Sequence, residues 1–153
     1  VASLVIKEAK QLENKDALNN YQILYKTPGI EELGIKDEVK VTIEYLSTFE
    51  AAKVSGNKDT IEDLASAIEL TSHTMDLAIK LKYPETDAKE WMNTVALKMF
   101  NKGAGYMSAT DTNNAYKCFE FLSRDKYANA INGEITKQAK ENVEKIKAMN
   151  VKK

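Results

Sequence analysis

Residues 59–82 read DTIEDLASAIELTSHTMDLAIKLK, and this stretch decides the fold. It contains neither glycine nor proline, and Pro84 just beyond it disfavours helical backbone at the preceding residue. Two apolar stripes at helical spacing run along it, one through Ile61, Leu64, Ile68, Met75 and Ala78 and the other through Ala67, Leu70, Leu77 and Leu81. Because two stripes require contact on two sides, the pattern predicts a central helix. The capping-box pattern Asp59-Thr-Ile-Glu62 predicts its start at Asp59.

The segments around this central helix also favour helices. Residues 37–54 alternate like a strand through Val39, Val41, Ile43 and Tyr45, but their length without glycine or proline favours a helix. Further helices are predicted over residues 3–25, with a break at 14–16, from a second capping box at Asp87, over 111–123 and over 134–150. The sequence therefore predicts one all-α domain over residues 1–153, a helical bundle or a short repeat array of about five to six helices. A mixed α+β fold stays as the alternative.

Composition restricts the available chemistry. Arg124 is the single arginine among 22 basic residues, and His73 and Cys118 are the single histidine and cysteine. Glu69, His73 and Asp76 share one helical face as a conceivable metal site, but a solvated face of charge pairs explains them better. Cys118 is expected to be a structural thiol. We expect no catalytic residues, no metal and no cofactor, although carboxylate-only enzyme chemistry stays open.

One helical hairpin resembles a known motif. Gly103, Tyr106, Ala115 and Phe119 have the spacing of a tetratricopeptide repeat, and the resemblance covers residues 96–129. It implies that Gly103 lets two helices approach closely and that the final, mostly polar helix caps the array. The motif's tryptophan, leucine and proline positions fall on Met99, Lys102 and Tyr127 here, and no second copy is found.

The densest group of aromatic residues lies in the same part of the chain. We expect most of these rings to form the core of the C-terminal half, with Tyr116 or Phe121 the most exposed because they lie off the Ala115/Phe119 line. If part of the group is open, it offers a groove for a partner. The predicted partner-binding residues are Trp91, Tyr106, Tyr116, Phe121 and Tyr127.

These observations favour a non-catalytic interaction or scaffold module that binds a peptide or a partner subunit, which includes a second copy of the chain. Two alternatives stay open: a carrier or sensor of a small apolar ligand, and a helical accessory subunit of a nucleoprotein complex. The net charge of −1 argues against nucleic acid, and no apolar run reaches the ~18 residues of a membrane span. Localisation is open between the cytoplasm, slightly favoured, and an extracytoplasmic protein processed at its N-terminus.

Overall fold

The computed structural model describes residues 14–27, 29 and 34–151 of the chain. Within these residues every regular element is helical and no strand occurs, which confirms the predicted all-α class and the helical interpretation of residues 37–54. The α-helices are α1 Asn14–Tyr25, α2 Lys36–Gly56, α3 Ile61–Leu81, α4 Thr86–Ser108, α5 Thr112–Leu122 and α6 Gly133–Val151. A 3₁₀ turn, Asp125–Tyr127, begins the connection between α5 and α6, called here the 125–131 turn. The predicted helix before residue 14 lies outside the described residues, and so do residues 28 and 30–33 between α1 and α2.

The helices pack in the order of the sequence. The strongest contacts join each helix to the next one along the chain, and weaker contacts join α2 to α4, α3 to α5 and α4 to α6. Helix α3 therefore touches both α2 and α4, as its two apolar stripes predict. Short connections, such as 109–111 between α4 and α5, make successive helices into hairpins.

The start of α3 corrects the predicted capping box by one residue. Thr60, and not Asp59, is the N-cap: its Oγ1 accepts a hydrogen bond from the Asp63 backbone N–H at 3.0 Å and donates one to the Asp63 carboxylate at 2.7 Å. At the other end Lys82 adopts a left-handed φ of 58°, and the Tyr83 N–H reaches back to the Ala78 carbonyl at 2.9 Å. This is the bond pattern of a Schellman cap, which ends the helix where Pro84 predicts.

The predicted cap of α4 at Asp87 is wrong. Helix α4 begins at Thr86, after Glu85, and no side chain caps it. The Lys89 N–H already bonds to the Glu85 carbonyl at 2.9 Å, so Asp87 lies inside the first turn. A carboxylate there still favours the helix, because it faces the positive end of the helix dipole.

Two apolar clusters hold the described helices together. The C-terminal cluster is the larger. It joins the four helices α3, α4, α5 and α6 through fully buried side chains such as Leu64, Met92, Met99 and Phe119. The N-terminal cluster joins α1 to α2 and is formed by Ala17, Tyr21, Leu24, Val39 and Leu46.

Helix α6 buries one line of side chains, as predicted, but the line is shorter than expected. Ala139, Val143 and Ile146 are buried, whereas Met149 is 48% exposed. The reason is length: α6 has 19 residues and its neighbour α5 has 11, so at about 1.5 Å per residue α6 is the longer by roughly 12 Å.

Candidate functional site

Two of the five aromatic residues predicted to bind a partner belong to the core. Phe121 is 7% exposed and Tyr127 is 1% exposed, and their ring centroids lie 5.3 Å apart. The guanidinium of Arg124 covers the outer face of Phe121 at 4.7 Å and is held in place by two hydrogen bonds to the Glu120 carboxylate. Burial raises the pKa of Tyr127, and the negative charge of Glu69 adds to that rise. These two rings therefore stabilise the 125–131 turn.

Trp91 lies at the seam between α2 and α4. Its indole Nε1 donates a hydrogen bond to the Ala52 carbonyl at 3.1 Å, and its ring covers Gly56, where an added Cβ would lie 2.5 Å from the ring. Lys98 donates from Nζ to the Gly56 carbonyl at 2.7 Å. Side chains of α4 thus hold the last turn of α2 in place, and Trp91 is one of these side chains.

The other two aromatic residues are more open. Tyr106 is partly buried, with the ammonium group of Lys102 5.7 Å from its ring centre. Tyr116 is 36% exposed and lines a shallow surface of about 600 Å³ between α5 and α6. The carboxylates of that surface are already paired, in Arg124–Glu120, Lys140–Asp125 and Lys147–Glu144. The five predicted residues are therefore divided among the core, a helix seam and separate surfaces.

A larger groove of about 870 Å³ lies one hairpin earlier, where α3, α4 and the 125–131 turn meet. We call it the α3–α4 groove. Its lining includes Met75, Asp76 and Ile79 from α3, Glu85 just before α4, Lys89, Glu90 and Asn93 from α4, and Lys126 and Ala130 from the turn.

The floor of the α3–α4 groove is apolar. Met75 and Ala130 are partly buried and pack against the C-terminal cluster, so the floor is continuous with the core. Ile79 is 60% exposed and extends this apolar strip towards solvent. On both helices the lining residues span eight positions, from Ser72 to Ile79 and from Thr86 to Asn93, which corresponds to about 10 Å of helix. The groove can receive two turns of a helix or a few residues of extended chain.

Asn93 fixes the wall that the turn contributes. Its Oδ1 accepts a hydrogen bond from the Asn132 N–H at 2.6 Å, and its Nδ2 donates to the Lys89 carbonyl at 2.9 Å and to the Ala130 carbonyl at 3.4 Å. Asn132 in turn accepts from the Glu134 N–H, at the start of α6. One side chain of α4 thus positions both the groove wall and the helix that follows it.

The carboxylates of the groove differ from those of the α5–α6 surface. Among the described residues, no cation lies within ion-pair distance of Asp76, Glu85 or Glu90. Of the two lining lysines, Lys126 places its Nζ 5.5 Å from the ring centre of Tyr127. The groove therefore presents, beside an apolar strip, three carboxylates that have no ion-pair partner among the described residues.

The residues considered for reactive chemistry occupy separate environments. The Nε2 atom of His73 donates a hydrogen bond to the Glu44 carboxylate at 2.9 Å, which links α3 to α2, and both side chains are about half exposed. In the described part of the chain, no group of three or more His, Cys, Asp or Glu side chains is arranged to hold a metal ion. Cys118 is fully buried, and burial raises the pKa of its thiol to about 11, which suppresses the reactive thiolate.

Gly103 and Gly105 have different surroundings. A Cβ on Gly103 would lie 2.9 Å from the Phe119 ring and 3.0 Å from the Cys118 Cβ, so Gly103 allows the close approach of α4 and α5. Gly105 has no atom within 4 Å of such a Cβ. The close approach of the two helices therefore depends on Gly103 and not on Gly105.

Sequence reasoning missed the groove, although one signal for it was present. Ile79 belongs to neither apolar stripe of α3, and a large apolar residue off both stripes of a central helix indicates an exposed contact surface. A second feature that was missed is a tyrosine group at the N-terminal end. The Tyr45 ring packs edge-on against Phe49 at 6.1 Å and Tyr83 at 5.4 Å, and Tyr83 also neighbours Tyr21.

Comparisons with family models, with curated proteins and with solved structures gave no match for this chain. In the part of the chain that the structure describes, none of the helices combines the length and the apolar character needed to cross a bilayer.

Proposed function

We propose that this protein is a non-catalytic interaction module that holds a peptide segment of a partner protein in the α3–α4 groove. The observation that carries the proposal is Ile79, a large apolar side chain 60% exposed at the mouth of a groove whose floor is continuous with the core. Exposed apolar surface bordered by polar groups is typical of sites that bind other proteins.

The groove supports this proposal because its parts are held rigidly before any partner binds. Asn93 ties the turn to α4, and the buried rings of Phe121 and Tyr127 support the turn from inside. A preformed wall reduces the ordering cost that binding would otherwise impose. We therefore give these two rings a supporting role and place the binding surface beside them, one hairpin earlier than the sequence prediction.

The order of the helices is a second support. Proteins that stack helical hairpins in sequence order, including the tetratricopeptide-like arrays that the α4–α5 hairpin resembles, are well suited to presenting grooves between helices. In this chain the α3–α4 groove lies between two successive hairpins, α2–α3 and α4–α5. A short amphipathic helix or an extended segment with one apolar anchor fits its length.

A selection experiment tests the proposal. A display library of random twelve-residue peptides is selected on the wild-type protein, and the enriched peptides are titrated against two variants. Ile79→Asp places a charge at the mouth of the groove, and Ile23→Asp places the same charge at an equally exposed position on α1, where Ile23 is 66% exposed. We expect enriched peptides to lose at least about tenfold in affinity for Ile79→Asp and to retain it for Ile23→Asp, as expected for loss of a buried anchor.

Two results would contradict the proposal: a library that yields no enriched peptide, or enriched peptides that bind both variants as tightly as wild type. Because both substituted side chains are largely exposed, neither variant is expected to unfold. Circular dichroism of each variant checks this directly.

A further inference from the structure

We infer that the segment held by the α3–α4 groove is basic and carries a lysine or arginine next to an apolar anchor. This inference rests on the proposed function and adds the chemistry of the partner. It comes from the charges that remain unpaired on the walls of the groove.

Carboxylates stand on both walls. Asp76 is on α3, Glu85 lies just before α4, Glu90 is on α4, and all three are exposed. Glu69 lies earlier on α3, close enough to the turn for its charge to contribute to the raised pKa of Tyr127. A cation that enters the groove thus meets negative charge from two sides, which strengthens attraction more than a single surface pair does.

The two lysines of the groove offset only part of this charge. Three lining carboxylates stand against Lys89 and Lys126, so the lining keeps a net charge of −1. The acidic residues of the α5–α6 surface are in closer contact with basic groups. On the α5–α6 surface, each of Glu120, Asp125 and Glu144 lies within 3.6 Å of a basic group.

The spacing of the charges relative to Ile79 defines the partner more closely. Asp76 precedes Ile79 by three residues on the same helix, so their Cβ atoms lie about 5–6 Å apart on one face. An apolar side chain against Ile79 and Met75 would therefore bring a neighbouring lysine or arginine of the same segment within reach of Asp76. Glu90 on α4 belongs to the opposite wall and offers the second acceptor.

Two synthetic peptides test the inference. They are fluorescein-labelled, twelve residues long and identical in their leucines, and they differ only in carrying four lysines or four glutamates. We expect the lysine peptide to bind the full chain at least about tenfold more tightly at low salt, and we expect the difference to shrink as salt is raised, because salt screens exposed charges.

Variants locate the effect. Asp76→Asn with Glu90→Gln removes one carboxylate from each wall without changing side-chain size, and should weaken binding of the lysine peptide about three- to tenfold, the range for two exposed charge pairs. Glu134→Gln with Glu141→Gln makes the same change in net charge on α6 and should leave binding unchanged. Ile79→Asn removes the apolar anchor without adding a charge, and it is measured in parallel as the test of the groove itself.

The outcomes distinguish a failure of the basic partner from a failure of the groove function. If the glutamate peptide binds as tightly as the lysine peptide, or more so, and the uncharged Ile79→Asn weakens it, the basic partner is overturned and the groove function stands. If the lysine peptide is preferred but the Asp76/Glu90 variant binds it like wild type, the inference is also overturned. If neither peptide binds in a manner that depends on Ile79, the groove function fails along with it.

Discussion

The two ends of the molecule are held together by different kinds of core. The C-terminal cluster consists largely of aliphatic and ring carbons, with a glycine contact between α4 and α5, and the groove is built on it. As far as the described residues show, the N-terminal cluster is smaller, and it has tyrosine side chains at its border. Because apolar burial is the main source of stability, the comparison indicates that the groove rests on the more stable part of the protein.

Deleting a large core side chain at each end gives the largest predicted difference. Phe119→Ala removes a fully buried ring that packs edge-on against Phe100 at 5.3 Å, and should lower the free energy of unfolding by about 3–5 kcal/mol. Leu24→Ala in the N-terminal cluster should cost about 2 kcal/mol, since a smaller cluster relaxes around the lost atoms more easily. Urea unfolding followed by circular dichroism measures both changes.

Amide hydrogen exchange then shows where each change acts. We expect Leu24→Ala to speed exchange in α1 and the start of α2 while α4 and α5 stay protected. Equal losses of stability, with exchange accelerated throughout in both variants, would mean that the two clusters unfold as a single unit.

A pair of glycine substitutions examines the C-terminal cluster at higher resolution. In Gly103→Ala the new methyl group meets Phe119 and Cys118 at about 3 Å, so overpacking should cost about 1–3 kcal/mol. Gly105→Ala adds the same methyl group to an exposed position of the same helix, and should stabilise the protein by about 0.5–1 kcal/mol through helix propensity. Opposite signs in thermal unfolding would support close α4–α5 packing; a neutral or stabilising Gly103→Ala would show that the hairpin is looser than described.

Apolar patterns that extend over the length of a whole helix made much of the fold predictable from the sequence. The two stripes of residues 59–82 specify contact on two sides, and this is what α3 has. The length of residues 37–54 outweighs their local alternation, because a helix of that length can bury Val39, Leu46 and Phe49 on one face. Helix starts were less predictable. Asp59 and Thr60 are both good N-caps, and the choice between them depends on the pairing of Thr60 with Asp63.

The site was harder to predict because its parts are distant in sequence. Phe121 lies off the apolar line of α5, yet it is buried, since Tyr127 folds back over it. Likewise the groove wall depends on hydrogen bonds between Asn93 and two residues much further along the chain, Ala130 and Asn132. The apolar pattern of a single helix does not predict contacts between residues so far apart in the sequence. Ile79 was the local signal, and it indicates an exposed surface without indicating what stands opposite.

Alkaline titration gives the smallest predicted effect. It compares the two clusters through one buried ionisable group in each, the thiol of Cys118 and the hydroxyl of Tyr21. Burial raises the pKa of Cys118 from 9.0 to about 11, and it raises the pKa of Tyr21 in the N-terminal cluster as well. In both cases the folded protein holds its proton more tightly than the unfolded chain. The resulting stability is therefore complete below pH 9 for the thiol and is lost as the pH rises from 9 towards 11.

For Cys118 this loss should be on the order of 1 kcal/mol at pH 10, and it should be smaller in Cys118→Ala when each protein is compared with its own stability at pH 8. Tyr21→Phe should remove the corresponding loss from the N-terminal cluster, at a higher pH because an ordinary tyrosine ionises near 10. The urea concentration at half-unfolding, measured for wild type and both variants between pH 8 and 10.5, tests these two predictions. If Cys118→Ala loses as much stability as wild type over that range, the thiol ionises as it would in water, and the C-terminal cluster is more open to solvent than its packing indicates.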